Sequence, residues 1–117
     1  MNRKQFERLV DEALEDLPSW VLESVDNLTV VVEEWPTPEQ DPAGEGLLGL
    51  YEGISLLERG VDYSGFLPDR IIIFMGPHLE LELPRAELRE EIRQTVLHEV
   101  AHHLGIDDRR LHELGRD

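Results

Sequence analysis

Residues 84–104 predict one long helix, and the order of its side chains restricts the folds open to this chain. Pro84 stands where a helix can begin, and Gly105 suits the left-handed residue that often follows a helix C-terminus. At 100° per residue, five apolar side chains form an arc of about 140°. These are Val96, Leu97, Val100, Ala101 and Leu104. We expect this arc to pack against a sheet.

The segments that precede this helix predict a small sheet and a second long helix. Apolar residues spaced three and four apart predict an amphipathic helix over residues 4–17, ended by Pro18, with a short helical turn after it. Apolar and β-branched runs predict strands over residues 28–36 and 70–76. A mixture of helices and a small sheet, an α+β fold in one domain of 117 residues, is expected.

The connecting segments are less regular. Residues 36–46 and 60–69 contain Pro and Gly and predict loops, whereas residues 47–60 predict a strand pair or one bent strand. The alternating segment 77–83 either continues the sheet or forms a connection.

Composition and charge exclude several classes of protein. The chain has no cysteine, so disulfides and thiolate metal sites are excluded and any metal must bind nitrogen and oxygen atoms. The net charge of −15 repels phosphate backbones, so nucleic acid is not an expected partner. No apolar run approaches the roughly 18–20 residues of a membrane span, and the N-terminal segment is too charged for a signal peptide. We therefore expect a cytoplasmic location.

The second face of the long helix carries the motif H-E-x-x-H at residues 98–102. His98 and His102 lie about 40° and roughly 6 Å apart on a helix, so both imidazoles can bind one ion. Glu99 points elsewhere but can reach a water held by that ion, as a general base requires. A left-handed Gly105 would let the chain reverse, so that Asp108 could return as a third ligand. Two imidazoles and one carboxylate suit a single Zn²⁺ with a position left for water.

Several neighbours remain alternatives. Asp107 or His112 could replace Asp108 as the third ligand, although Asp108 is favoured. His78 is interpreted as structural or exposed. Tyr63 or Arg70 could donate to an oxyanion, but an ordinary loop role for Tyr63 is favoured.

The ending HEVAHHLGIDDRRLHELG resembles the signature of a small bacterial zincin-like metallopeptidase family, whose members are short acidic proteins. The segments GLLGLYEGISLLERG and PDRIIIFMGP also resemble the middle motifs of that family, so the likeness spans most of the chain. The resemblance implies a minimal zincin-like fold, in which a small twisted mixed sheet packs on the active-site helix with flanking helices. It also implies His98, His102 and Asp108 as metal ligands and Glu99 as the catalytic base.

Two better-known groups with this motif fit the sequence less well. Metzincins carry a methionine turn after the motif, but methionine occurs here only at positions 1 and 75. Gluzincins take a glutamate ligand far downstream, generally beyond the residues that follow His102. The expected function is zinc-dependent hydrolysis of a peptide or protein substrate by water that Glu99 activates. The alternative is a zinc-binding interaction module with little or no activity, because no second lobe is evident to wall a substrate cleft.

Overall fold

The computed structural model describes residues 1–19, 21, 28–53 and 69–103. Within these ranges the chain forms three helices and three strands. They are helix α1 (Arg3–Glu15), strands β1 (Leu28–Glu33), β2 (Gly49–Glu52) and β3 (Asp69–Phe74), and helices α2 (Met75–Leu79) and α3 (Arg85–His103). Helices and a small mixed sheet confirm the predicted α+β class.

Helix α1 forms where apolar periodicity predicted it. Asn2 caps its first turn by accepting from the backbone N–H of Gln5, whose side chain in turn accepts from the Asn2 backbone. This reciprocal capping satisfies two amides that the helix cannot pair internally. The buried face of α1 consists of Phe6, Leu9, Val10 and Ala13.

The sheet places β3 in the centre, in the order β1-β3-β2. Strand β1 pairs parallel to β3, and β2 pairs antiparallel to it. Residues that face each other across strands share one side of the sheet, since side chains alternate along each strand. Ile71 and Ile73 belong to the core beneath α3, whereas Arg70 faces Glu52 on the other side and binds it at 2.6 Å.

Helix α3 lies on the core side of the sheet, as the apolar arc predicted. Val96, Val100 and Ala101 are buried, and Leu97 packs against the same cluster. Leu88 and Ile92 extend the buried face toward the start of the helix, where α3 packs beside α1. Ion pairs Arg85–Glu12 and Arg89–Asp16 join the exposed sides of the two helices. Exposed pairs of this kind contribute little, so the buried face determines the position of α3.

The strands end earlier than the sequence predicts, and β1, predicted over residues 28–36, ends at Glu33. The strand predicted over residues 70–76 ends at Phe74, because Met75 already begins α2. Pro77 suits that helix because it lies in the first turn, where backbone N–H groups have no intrahelical partner. The alternating segment 77–83 therefore connects β3 to α3 and does not continue the sheet. Of the segment 47–60, the structure describes residues 47–53, which include β2, and residues 54–60 lie outside the described part.

No helix in the described ranges is both long and apolar enough to cross a membrane.

Candidate metal centre

Three side chains with metal-binding atoms meet on the last turns of α3. One ligand atom from each of His98, Glu99 and His102 can be chosen so that all lie within 4.8 Å of one another. The two imidazole rings have centroids 4.7 Å apart and are inclined by 70°. Both histidines are half-buried, while Glu99 is buried at 6% exposure. This helix turn therefore offers two nitrogen donors and a carboxylate at a partly enclosed position.

The Glu99 carboxylate makes two contacts through the same oxygen. Its Oε1 accepts from the backbone N–H of Tyr51 at 3.0 Å and lies 3.2 Å from Nδ1 of His102. Both of these contacts engage Oε1, and neither uses Oε2. The buried carboxylate is thus held in place by a strand that is 48 residues away in sequence.

The contact with Glu99 also selects the tautomer of His102. A carboxylate oxygen can only accept, so a hydrogen bond at this distance needs the proton on Nδ1. In the neutral ring, Nε2 is then the unprotonated nitrogen and is the one suited to bind a metal ion.

Strand β2 can reach Glu99 because some of its backbone groups point away from β3. The N–H of Phe74 donates to the Leu48 carbonyl at 3.0 Å, which makes these two residues a hydrogen-bonded pair. Such pairs alternate with non-bonded pairs in an antiparallel ladder, so the backbone groups of Gly49 and Tyr51 point away from β3. The Tyr51 N–H donates to Glu99, and the backbone groups of Gly49 lie on the same edge of β2.

Gly49 permits the close approach of β2 to α3. A Cβ atom at this position would lie 2.5 Å from Cγ2 of Thr95 and 3.4 Å from Cγ of Glu99. Any larger residue would push the strand from the helix and lengthen the bond from Tyr51 to Glu99. The predicted strand pair or bent strand over residues 47–60 did not include this close approach, although a glycine within a strand is a signal for it.

A buried histidine connects α3 to the end of β3. His78 is fully buried, with Nδ1 2.8 Å from the Phe74 carbonyl and Nε2 3.1 Å from Oγ1 of Thr95. Since a carbonyl accepts, Nδ1 donates to Phe74. The Thr95 hydroxyl lies within hydrogen-bond distance of both Nε2 and the Glu91 carbonyl, so its one proton is shared between these two acceptors. Thr95 lies one turn before Glu99, so His78 ties this part of α3 to the end of β3. The structure confirms the structural role considered for His78 and excludes the exposed one.

Because His78 is buried, its pKa affects how the stability of the protein depends on pH. Desolvation lowers the pKa of His78 from 6.5, while the Phe74 carbonyl and the Glu91 carboxylate oppose that shift. The unfolded chain therefore binds a proton on this ring before the native protein does. We expect the free energy of unfolding to decrease as the pH falls below about 6.5 and through the lower native pKa.

The pH dependence can be tested with His78→Asn, whose amide can still donate toward the Phe74 carbonyl. Urea denaturation in chelator between pH 7.5 and 5 should show a smaller loss of stability for this variant than for the wild type. His98→Asn removes a half-exposed ring from the same protein and should keep most of the wild-type slope. Equal slopes for the wild type and His78→Asn would contradict this origin of the pH dependence.

The remaining predicted site residues are not all described. Asp108 and its alternatives Asp107 and His112 lie outside the described residues, as does Tyr63. Arg70 is described, but it is exposed and paired with Glu52 on the side of the sheet opposite α3. It does not face the metal-binding cluster, so the suggestion of an oxyanion role for Arg70 is wrong.

The donor set fits zinc. Imidazole nitrogens and carboxylate oxygens are common zinc ligands, and the chain has no cysteine that would favour a thiolate site. Glu99 lies beside both histidines on the same turn, which is the position a carboxylate needs in order to act on a water molecule near the ion.

Comparison with known proteins agrees with this geometry. The model of the family described as zincin-like metallopeptidase matches residues 25–116. A solved structure of a conserved hypothetical protein from Thermus thermophilus is similar over 99% of this chain and 100% of its own, with 26% identity and a TM-score of 0.62. No curated protein matches the chain significantly.

Proposed function

Because the chain belongs to the zincin-like metallopeptidase family, we propose that it is a zinc-dependent peptidase in which Glu99 is the general base. One observation carries the proposal. The buried Glu99 carboxylate lies beside two half-buried imidazoles and accepts a hydrogen bond from the backbone of β2. A surface cluster of charges would not need such a long-range restraint.

The proposed ligands are His98, His102 and Asp108, which would hold one Zn²⁺. His102 would bind through Nε2, because its Nδ1 faces the Glu99 carboxylate. When bound, zinc would polarise the scissile carbonyl and make the attacking water more acidic. Asp108 enters this set from the H-E-x-x-H-x-x-G-x-x-D pattern of residues 98–108.

Glu99 would transfer one proton during hydrolysis. Its Oε2 takes a proton from the attacking water as the water oxygen bonds to the carbonyl carbon, and gives that proton to the nitrogen as the C–N bond breaks. The contacts of Oε1 with Tyr51 and His102 keep the carboxylate oriented during both transfers. A carboxylate held in advance loses little entropy when it reacts.

The substrate would be an extended peptide lying along the outer edge of β2. The backbone groups of Gly49 point away from β3 and can pair with another strand next to Glu99. A net charge of −15 opposes binding of nucleic acid and favours basic peptides. The cytoplasmic location expected from the sequence stays a prediction.

A peptide-library digest tests the proposed activity. The zinc-loaded protein should cleave a subset of the library, and a chelator should stop cleavage until zinc is restored. Cleavage that persists in chelator would contradict a metal-dependent mechanism.

The same outer edge of β2 would also suit a strand from a partner protein. A zinc-binding interaction module is therefore the second candidate function. A zinc-loaded protein that cleaves no member of a broad library would favour this module over the peptidase.

A further inference from the structure

We propose that a cavity beside Glu99 binds the side chain that follows the scissile bond and selects lysine or arginine there. The inference rests on the proposed peptidase function and names the class of substrate for it.

The cavity lies between the start of β2 and the middle of α3. It has a volume of about 300 Å³ and extends along the helix as far as His98 and Glu99. Its other walls are formed by Leu47, Leu48, Gly49, Glu91, Gln94 and Thr95. A side chain can therefore enter from the candidate metal centre and point toward the beginning of α3.

The walls match a long basic side chain. Leu47 and Leu48 give the cavity an apolar wall that suits a methylene stem, and the half-buried Glu91 supplies a carboxylate. No residue of the described ranges forms an ion pair with Glu91. Gln94 donates its Nε2 to Glu90, which leaves its carbonyl oxygen as another acceptor. An ammonium or guanidinium group supplies only donors, so these acceptors suit it.

Distance adds to this selectivity. Glu91 precedes His98 by seven residues, which is about 10 Å along a helix. The Cα atom of the residue after the scissile bond lies within a few ångströms of the reacting carbonyl, since successive Cα atoms are about 3.8 Å apart. Only the longest side chains cover the remaining distance to the Glu91 carboxylate.

The direction of β2 indicates on which side of the scissile bond the residue lies whose side chain enters the cavity. The cavity adjoins Gly49, at the beginning of β2, while Tyr51 further along contacts Glu99. A substrate that pairs antiparallel to β2 runs from the Tyr51 end toward the Gly49 end. Its carboxyl-terminal part therefore passes the cavity, and the side chain concerned belongs to the residue that leaves as the new amine.

Binding of peptidyl hydroxamates tests this assignment without turnover. In these compounds a zinc-binding group replaces the scissile bond, and the side chain after it would be Lys, Leu or Glu. Calorimetry with zinc-loaded protein should give the Lys compound an affinity about tenfold higher than the Glu compound. Glu91→Lys should reverse that order, whereas Glu87→Lys, on an exposed part of the same helix, should preserve it.

The outcomes separate this inference from the proposed function. Equal affinities of the Lys and Glu compounds for the wild type would overturn the assignment of the cavity alone. An unchanged preference for Lys in Glu91→Lys would overturn it as well. Failure of all three compounds to bind would overturn the zinc site, and the role of the cavity with it.

Discussion

Glu99→Gln is expected to lower the rate of peptide cleavage by about 10²–10⁴-fold while zinc binding is retained. The amide has nearly the same volume, and its oxygen can still accept from the Tyr51 N–H that now contacts the carboxylate. It cannot take a proton from water at neutral pH, so only the chemical step is affected. Initial rates on a cleaved library peptide, together with zinc titration of both proteins, measure the two effects.

Glu87→Gln is the matched control for this variant. It makes the same chemical change at an exposed position of α3, away from the cluster. Its cleavage rate should equal that of the wild type. Wild-type activity in Glu99→Gln would show that Glu99 is not the base, and a large loss of zinc affinity would instead make Glu99 a ligand.

Asp108→Ala is expected to lower zinc affinity by more than about a hundredfold. Loss of a residue that only supports a ligand typically reduces affinity by 10–100-fold, and loss of a direct ligand should exceed that. Competition with a chromophoric chelator would measure the affinity of the wild type and the variant. Peptide cleavage should fall in parallel.

Asp107→Ala and His112→Ala serve as controls for the third ligand, because each residue is a chemical alternative near Asp108. Both variants should retain more of the zinc affinity than Asp108→Ala does. Undiminished affinity in Asp108→Ala would remove Asp108 from the ligand set. A larger loss in either control would transfer the role to that residue.

The sequence predicted α1, α3 and the strands, because their apolar spacing is strong and local. It was less informative between the strands and α3. The run RIIIFMG continues as an apolar strand by composition, but Met75 and Gly76 belong to α2. Packing at the end of β3 decided that boundary, where His78 turns back to bind the Phe74 carbonyl. The spacing of apolar residues in the sequence does not encode such a contact.

For His78 as well, the sequence left open what the tertiary structure decided. Its type allowed a buried or an exposed position, and nothing adjacent to it in the sequence distinguished them. In the folded chain it contacts Phe6 of α1 and Thr95 of α3 as well as β3. Three separate segments therefore create its environment, so only their assembly could reveal it.

The sequence by itself determined the cluster of His98, Glu99 and His102, since the helical repeat sets the spacing of residues one and four positions apart. Tertiary structure alone decided what surrounds that cluster. The strand order and the register of β2 brought the Tyr51 N–H to Glu99 and set Gly49 against Thr95. The cavity with Glu91 arises from the same approach. These contacts join residues more than forty positions apart, and their geometry depends on packing that no local spacing specifies.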